Sequence, residues 1–78
     1  MVTSYAVDES IVRRIENNFS YHAPKEDQSE RYEKIRSEAK KFALLLCESC
    51  PPSRELSLAL TNLEECVMEA NASVSRNE

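Results

Sequence analysis

Two apolar stripes of heptad spacing lie on either side of a proline pair, and this arrangement limits the fold more than any other feature. Tyr32, Ile35, Ala39, Phe42 and Leu46 are separated by 3, 4, 3 and 4 residues. Leu56, Leu60, Leu63, Val67, Ala70 and Val74 follow at 4, 3, 4, 3 and 4. Such spacing places each set along one side of an α-helix. Between them, Cys50-Pro51-Pro52-Ser53 ends the first helix, because proline has no N–H and drives the preceding residue out of the helical region. Ser53 then suits an N-cap, with Glu55 in the first turn. Two seams joined by so short a turn predict an antiparallel helical hairpin.

A third, shorter helix precedes the hairpin. Asp8 is its expected N-cap, and Ile11, Val12, Ile15 and Phe19 fall at helical spacing. Asn17, Asn18 and Ser20 weaken it, and Pro24 prevents continuation. The expected layout is all-α and a single domain over 1–78. It comprises an arm at 1–7, a short helix at 8–19 and long helices at 26–49 and 53–76.

The chain has 78 residues, so its core is small. Leu44, Leu45, Leu58 and Met68 lie off the two seams. They call for cover by the short helix or by another copy, which predicts a homo-oligomer.

Glycine is absent, where average usage of about 7% predicts roughly five. That removes the P-loop, the dinucleotide-binding fingerprint and glycine hairpin turns. Any phosphate bound here is held by side chains and helix N-termini. Residues 1–41 hold eight Lys/Arg and eight Asp/Glu, and residues 42–78 hold two and six, giving a net charge of −4. A general DNA or RNA binder needs a basic field to neutralise phosphates. Only a local cationic cluster exists, which suits a small anion. No apolar run reaches the ~20 residues of a membrane span, and the N-terminus does not read as a signal peptide. The cysteines are therefore expected to be reduced.

That cluster lies around Tyr21-His22-Ala23-Pro24-Lys25 and Arg31-Tyr32-Glu33-Lys34-Ile35-Arg36. Tyr21 and Tyr32 offer flat faces for a nucleobase. Lys25, Arg31 and Arg36 offer cations for phosphate, the arginines as planar forks. Tyr32 and Arg36 share a helix face at i, i+4. The plain alternative makes Tyr32 a seam residue and the charges a solvated face. His22, the lone histidine, has no neighbouring nucleophile or orienting carboxylate and reads as a hydrogen-bonding loop residue. Cys47 and Cys50 form C-x-x-C at the C-terminal end of a helix, where the dipole does not favour a thiolate. With Cys66 and His22 they lack zinc-finger spacing, so all three read as buried structural thiols. Glu64, Glu65 and Glu69 read as a solvated acidic face. No catalytic motif, metal site or cofactor site is expected.

Four stretches together carry a family resemblance: Arg14–Pro24, Gln28–Arg36, Pro51–Thr61 and Leu63–Ala72. In order and spacing they resemble the phage anti-CBASS cyclic-nucleotide sponge proteins, whose helical hairpin domain is shared with some phage anti-Thoeris proteins. Glu69 departs from the pattern, standing where the family favours an aromatic. The resemblance implies a non-catalytic homohexamer acting in the cytoplasm of the infected bacterial host. It implies capture of cyclic dinucleotides such as 3′,3′-cGAMP between two subunits and, in some members, cyclic trinucleotides at three-fold contacts. CBASS effectors then stay silent. By position, Tyr21 is the stacking residue and Arg36 or Lys25 the phosphate partner, with His22, Arg31 and Tyr32 completing the dinucleotide set. Arg76 and Asn77 are the candidates for a trinucleotide site. The competing reading is a helical-hairpin adaptor docking on another protein through its acidic helix. It accounts for the charge asymmetry but not for the Tyr/Arg cluster.

Overall fold

The computed structural model describes residues 5–78, which form three helices and no strand. The arm expected at 1–7 lies largely outside the described residues; Tyr5–Val7 have no regular structure.

Helix α1 spans Glu9–Asn18. Asp8 caps it, its carboxylate accepting the Ser10 N–H at 3.0 Å, and Glu9 meets the positive end of the dipole. It ends where the Phe19 N–H donates to the Ile15 carbonyl and the Ser20 hydroxyl turns back onto the Glu16 carbonyl.

Helix α2 spans Gln28–Ser49. It starts two residues after the expected position because Glu26 adopts φ 47°, in the left-handed region where a helix cannot begin. The turn is closed reciprocally. Gln28 N–H donates to the Lys25 carbonyl at 2.9 Å, and Lys25 N–H donates to Gln28 Oε1 at 3.0 Å. This resembles half of a capping box. At the other end, Cys50 is extended at φ −120°, ψ 138°, as the residue before a proline must be.

Helix α3 spans Arg54–Asn77. Ser53 Oγ accepts the Leu56 N–H at 3.1 Å, meeting a donor that the helix leaves open. Arg76 lies in the last turn, where a cation complements the dipole.

Helices α2 and α3 pack against each other as the hairpin. Ile35, Ala39, Ala43 and Leu46 of α2 are half-buried, as are Leu56, Leu60, Leu63, Val67, Ala70 and Val74 of α3. Phe42, expected in the seam, is 47% exposed. Ala43 takes its place, and with Ala39 presents a narrow surface to Leu60, Leu63 and Val67 along a groove of about 330 Å³.

Among the described residues, no apolar side chain is fully buried. Helix α1 does not cover the hairpin: Leu44, Leu45, Leu58 and Met68 remain exposed, as do its own Ile11, Val12, Ile15 and Phe19. The radius of gyration is 17.8 Å, against about 11.5 Å for a compact chain of this length. The accessible surface is 6769 Å², against roughly 4,800 Å² for a globular protein of 8.9 kDa. The thiols also differ from expectation. Cys47 and Cys66 are exposed and Cys50 is half-buried, because Leu46 and Val67, one position away in each helix, occupy the seam instead.

Candidate functional site

The end of the hairpin away from the proline turn collects the polar residues. Asn17 Nδ2 donates to the Arg76 carbonyl at 3.2 Å, tying the end of α1 to the end of α3. His22 is half-buried and its Nε2 lies 2.7 Å from the Asn17 carbonyl. This bond fixes the linker and gives the histidine the structural role its sequence setting suggested.

Beside these contacts a cleft of about 300 Å³ is lined by His22, Tyr32, Arg36, Asn71, Ala72, Ser75 and Arg76. Helix α2 supplies Tyr32 and Arg36 from successive turns of one face, and α3 supplies the opposite wall. Among the described residues, Arg36 pairs only with Glu33, at 2.9 Å and with both side chains mostly exposed. Such a surface pair is worth about 0–1 kcal/mol, so the guanidinium is free to turn into the cleft. The half-buried Asn71 holds a buried Oδ1 that accepts no hydrogen bond among the described residues.

The residues singled out from sequence fall into three groups. His22, Tyr32 and Arg36 meet at the cleft, and Arg76 joins them there rather than standing apart. Arg76 also borders a second hollow with Asn17, Asn18 and Asn77, where Asn77 Nδ2 donates to the Ser73 carbonyl at 3.0 Å. Lys25 and Arg31 do not line the cleft. They engage Glu78 instead: Lys25 Nζ donates to the Glu78 backbone oxygen at 3.1 Å, and Arg31 grips its carboxylate with both terminal nitrogens. Tyr21 is 87% exposed on the linker and lines none of these hollows.

Sequence reasoning missed Asn71, Ser75 and Gln28. Asn71 and Ser75 stand at i, i+4 beside the small Ala72, a spacing that places them on one face. Gln28 follows Lys25 by three positions, the capping-box interval. It is the one buried polar residue among those described, 3% exposed. Its amide is satisfied at both ends, by the Lys25 N–H and by Glu78 Oε1 at 3.2 Å.

Electrostatics are strongest at the Glu78 contact. Hydrogen bonds from Arg31 and then Gln28 hold the Glu78 carboxyl well below its usual value, down to about 2, and Glu78 pushes the Arg31 guanidinium further up. Among the described residues, no three His, Cys, Asp or Glu side chains gather as metal ligands, and no helix is long and apolar enough to cross a membrane.

A two-helix hairpin with a polar, arginine-flanked cleft at its open end and uncovered apolar flanks defines a class of small helical-hairpin domains. A family model, the Acb2/Tad1 hairpin domain, matches residues 12–75. The chain belongs to this family of phage anti-defence hairpin proteins, in agreement with the resemblance carried by its four stretches. Comparison with curated proteins and with solved structures finds no match.

Proposed function

We propose that this protein binds cyclic oligonucleotide messengers and sequesters them intact, silencing the CBASS effectors that such messengers activate in the infected host cytoplasm. The observation that carries this reading is the cleft at the open end of the hairpin, where Tyr32, Arg36 and Arg76 converge in a member of the Acb2/Tad1 family. A tyrosine face supports a stacked base at about 1–3 kcal/mol. An arginine fork supports a phosphodiester at about 1.5–3 kcal/mol per charge-assisted bond.

Each protomer provides only part of such a pocket. The surface in excess of a compact globule, roughly 2,000 Å² per protomer, is more than the roughly 800 Å² that each partner buries in a standard protein–protein interface, room for more than one such contact. We read the functional unit as a homo-oligomer, a hexamer as the family resemblance implies, in which Tyr21 stacks on a cyclic dinucleotide bound between neighbouring copies. Lys25, Arg31 and Arg36 supply its phosphate contacts. Arg76 and Asn77 are read as the contacts for a cyclic trinucleotide. No bond is broken in this scheme.

The test is calorimetry against a panel of cyclic di- and trinucleotides, followed by heating of the complex and analysis of the released ligand. Saturable binding and unchanged ligand are expected. A linear product would make the protein a phosphodiesterase, and no heat with any member of the panel would overturn the reading.

A further inference from the structure

Glu78 sits in a site that is built without it. Gln28 is 3% exposed, and its Oε1 accepts the Lys25 N–H, a bond that orients the amide and does not involve Glu78. Arg31 is held separately by Asp27, at 3.2 Å one turn back along α2. Lys25 Nζ comes from the linker to the same residue, donating to the Glu78 backbone oxygen at 3.1 Å. Donors from three residues thus converge at the first turn of α2, where the helix dipole adds positive potential. Among the described residues, their occupant is Glu78, the residue that follows α3. It is a carboxylate whose two oxygens take Arg31 Nη1, Arg31 Nη2 and Gln28 Nε2.

A carboxylate and a phosphate present the same pair of oxygens to an arginine fork. The carboxylate also leaves one donor unused, since Arg31 Nε is buried and has no hydrogen-bond partner among the described residues. A phosphate, with more oxygens and more charge, meets a larger share of this donor set. Glu78 follows the last turn of α3, where the helix ladder no longer restrains it, and its side chain is 42% exposed. It is free to leave without disturbing the seam.

We propose that Lys25, Gln28 and Arg31 form an oxyanion cradle in which Glu78 is an internal occupant, and that a phosphate group enters the cradle by displacing it. Glu78 is then a built-in competitor that sets the affinity of the cradle for phosphate. For the carrier of that phosphate the inference rests on the proposed capture of cyclic nucleotides; the competition itself does not.

The experiment is calorimetric titration of wild type, Glu78→Gln and the Glu78→Gln/Arg31→Gln double variant with pyrophosphate and, separately, with 3′,3′-cGAMP. Glu78→Gln is expected to bind pyrophosphate about tenfold more tightly than wild type, a difference of about 1.4 kcal/mol. The double variant is expected to lose that gain. Equal affinity in wild type and Glu78→Gln, or a gain that survives Arg31→Gln, would overturn the cradle, as would no pyrophosphate binding by Glu78→Gln. A gain for pyrophosphate without any response to 3′,3′-cGAMP would sustain the cradle and refute the proposed ligand class. Should the variants fold poorly, NMR of wild type decides. Pyrophosphate must shift the Gln28 side-chain amide and return the Glu78 side chain to its unbound position, and an unmoved Glu78 refutes displacement.

Discussion

Arg31 and Glu78 stand 47 positions apart, and both terminal nitrogens of the guanidinium donate to the Glu78 carboxylate, one at 2.7 Å. The pair joins the start of α2 to the end of α3. With the Asn17–Arg76 bond it closes the end of the hairpin opposite the proline turn. The fold is therefore clamped by polar contacts at one end and by the chain itself at the other.

The clamp is pH-dependent in one direction. The Glu78 carboxyl is lowered from an ordinary 4.5 to about 2 in the folded protein. A depressed carboxylate contributes stability that is complete above the unfolded value and lost as pH falls through the folded one. Melting curves of wild type and Glu78→Gln should therefore differ at neutral pH and converge between pH 4.5 and about 2. A gap that is constant across this range would show that the ion pair adds nothing to stability.

Glu26 occupies a left-handed position, at φ 47°, in a chain that has no glycine at all. For an ordinary residue that conformation costs roughly 1–2 kcal/mol, and glycine adopts it freely at the expense of greater unfolded-state entropy. Glu26→Gly should stabilise the protein by about 0.5–1 kcal/mol net, raising the melting temperature by a few degrees. An unchanged or lower melting temperature would mean that the turn relaxes in solution.

Ligand contacts separate from folding contacts at Arg36 and Tyr21. Among the described residues Arg36 is bonded only to the exposed Glu33, and Tyr21 is 87% exposed. Arg36→Gln and Tyr21→Ala should leave thermal stability within about 0.5 kcal/mol of wild type. Calorimetric affinity for the cyclic dinucleotide should fall by about 1.5–3 kcal/mol for Arg36→Gln and about 1–3 kcal/mol for Tyr21→Ala. Unchanged affinity in either variant removes that residue from the proposed site.

Leu44, Leu45 and Met68 are 54%, 55% and 63% exposed in the protomer, and burying a leucine is worth about 1.5–3 kcal/mol. Sedimentation equilibrium should find wild type as an oligomer, and Leu45→Glu or Met68→Glu should shift it toward protomers. A wild-type chain that sediments at 8.9 kDa would remove the assembly from the proposed function.

The helices were legible because their signals are local. Asp8 and Ser53 cap as their residue types demand, and Cys50 is extended before Pro51. The match over residues 12–75 likewise agrees with the resemblance read from the order and spacing of four stretches. Phe42 illustrates where period stops informing. Positions 42 and 43 both continue a heptad from Ala39, and only the approach of α3 selected the alanine for the groove and left the phenylalanine outside. Periodicity gives a helix face to within about one position; it does not give the rotation of one helix against another.

The same limit governed the site. Residue chemistry pointed to Tyr21, Lys25, Arg31, Tyr32 and Arg36, because aromatic faces and cations are properties of single side chains, and the family resemblance added His22, Arg76 and Asn77. Which of them meet was decided by the tertiary structure. Arg76 came to Tyr32 and Arg36 across the hairpin, while Lys25 and Arg31 turned to Glu78. Those pairings join residues 40 to 53 positions apart, where no spacing rule reaches. Helix identity, caps and the turn were determined within a few residues of chain; the cleft and the Glu78 clamp exist only because two long helices pack antiparallel in one register.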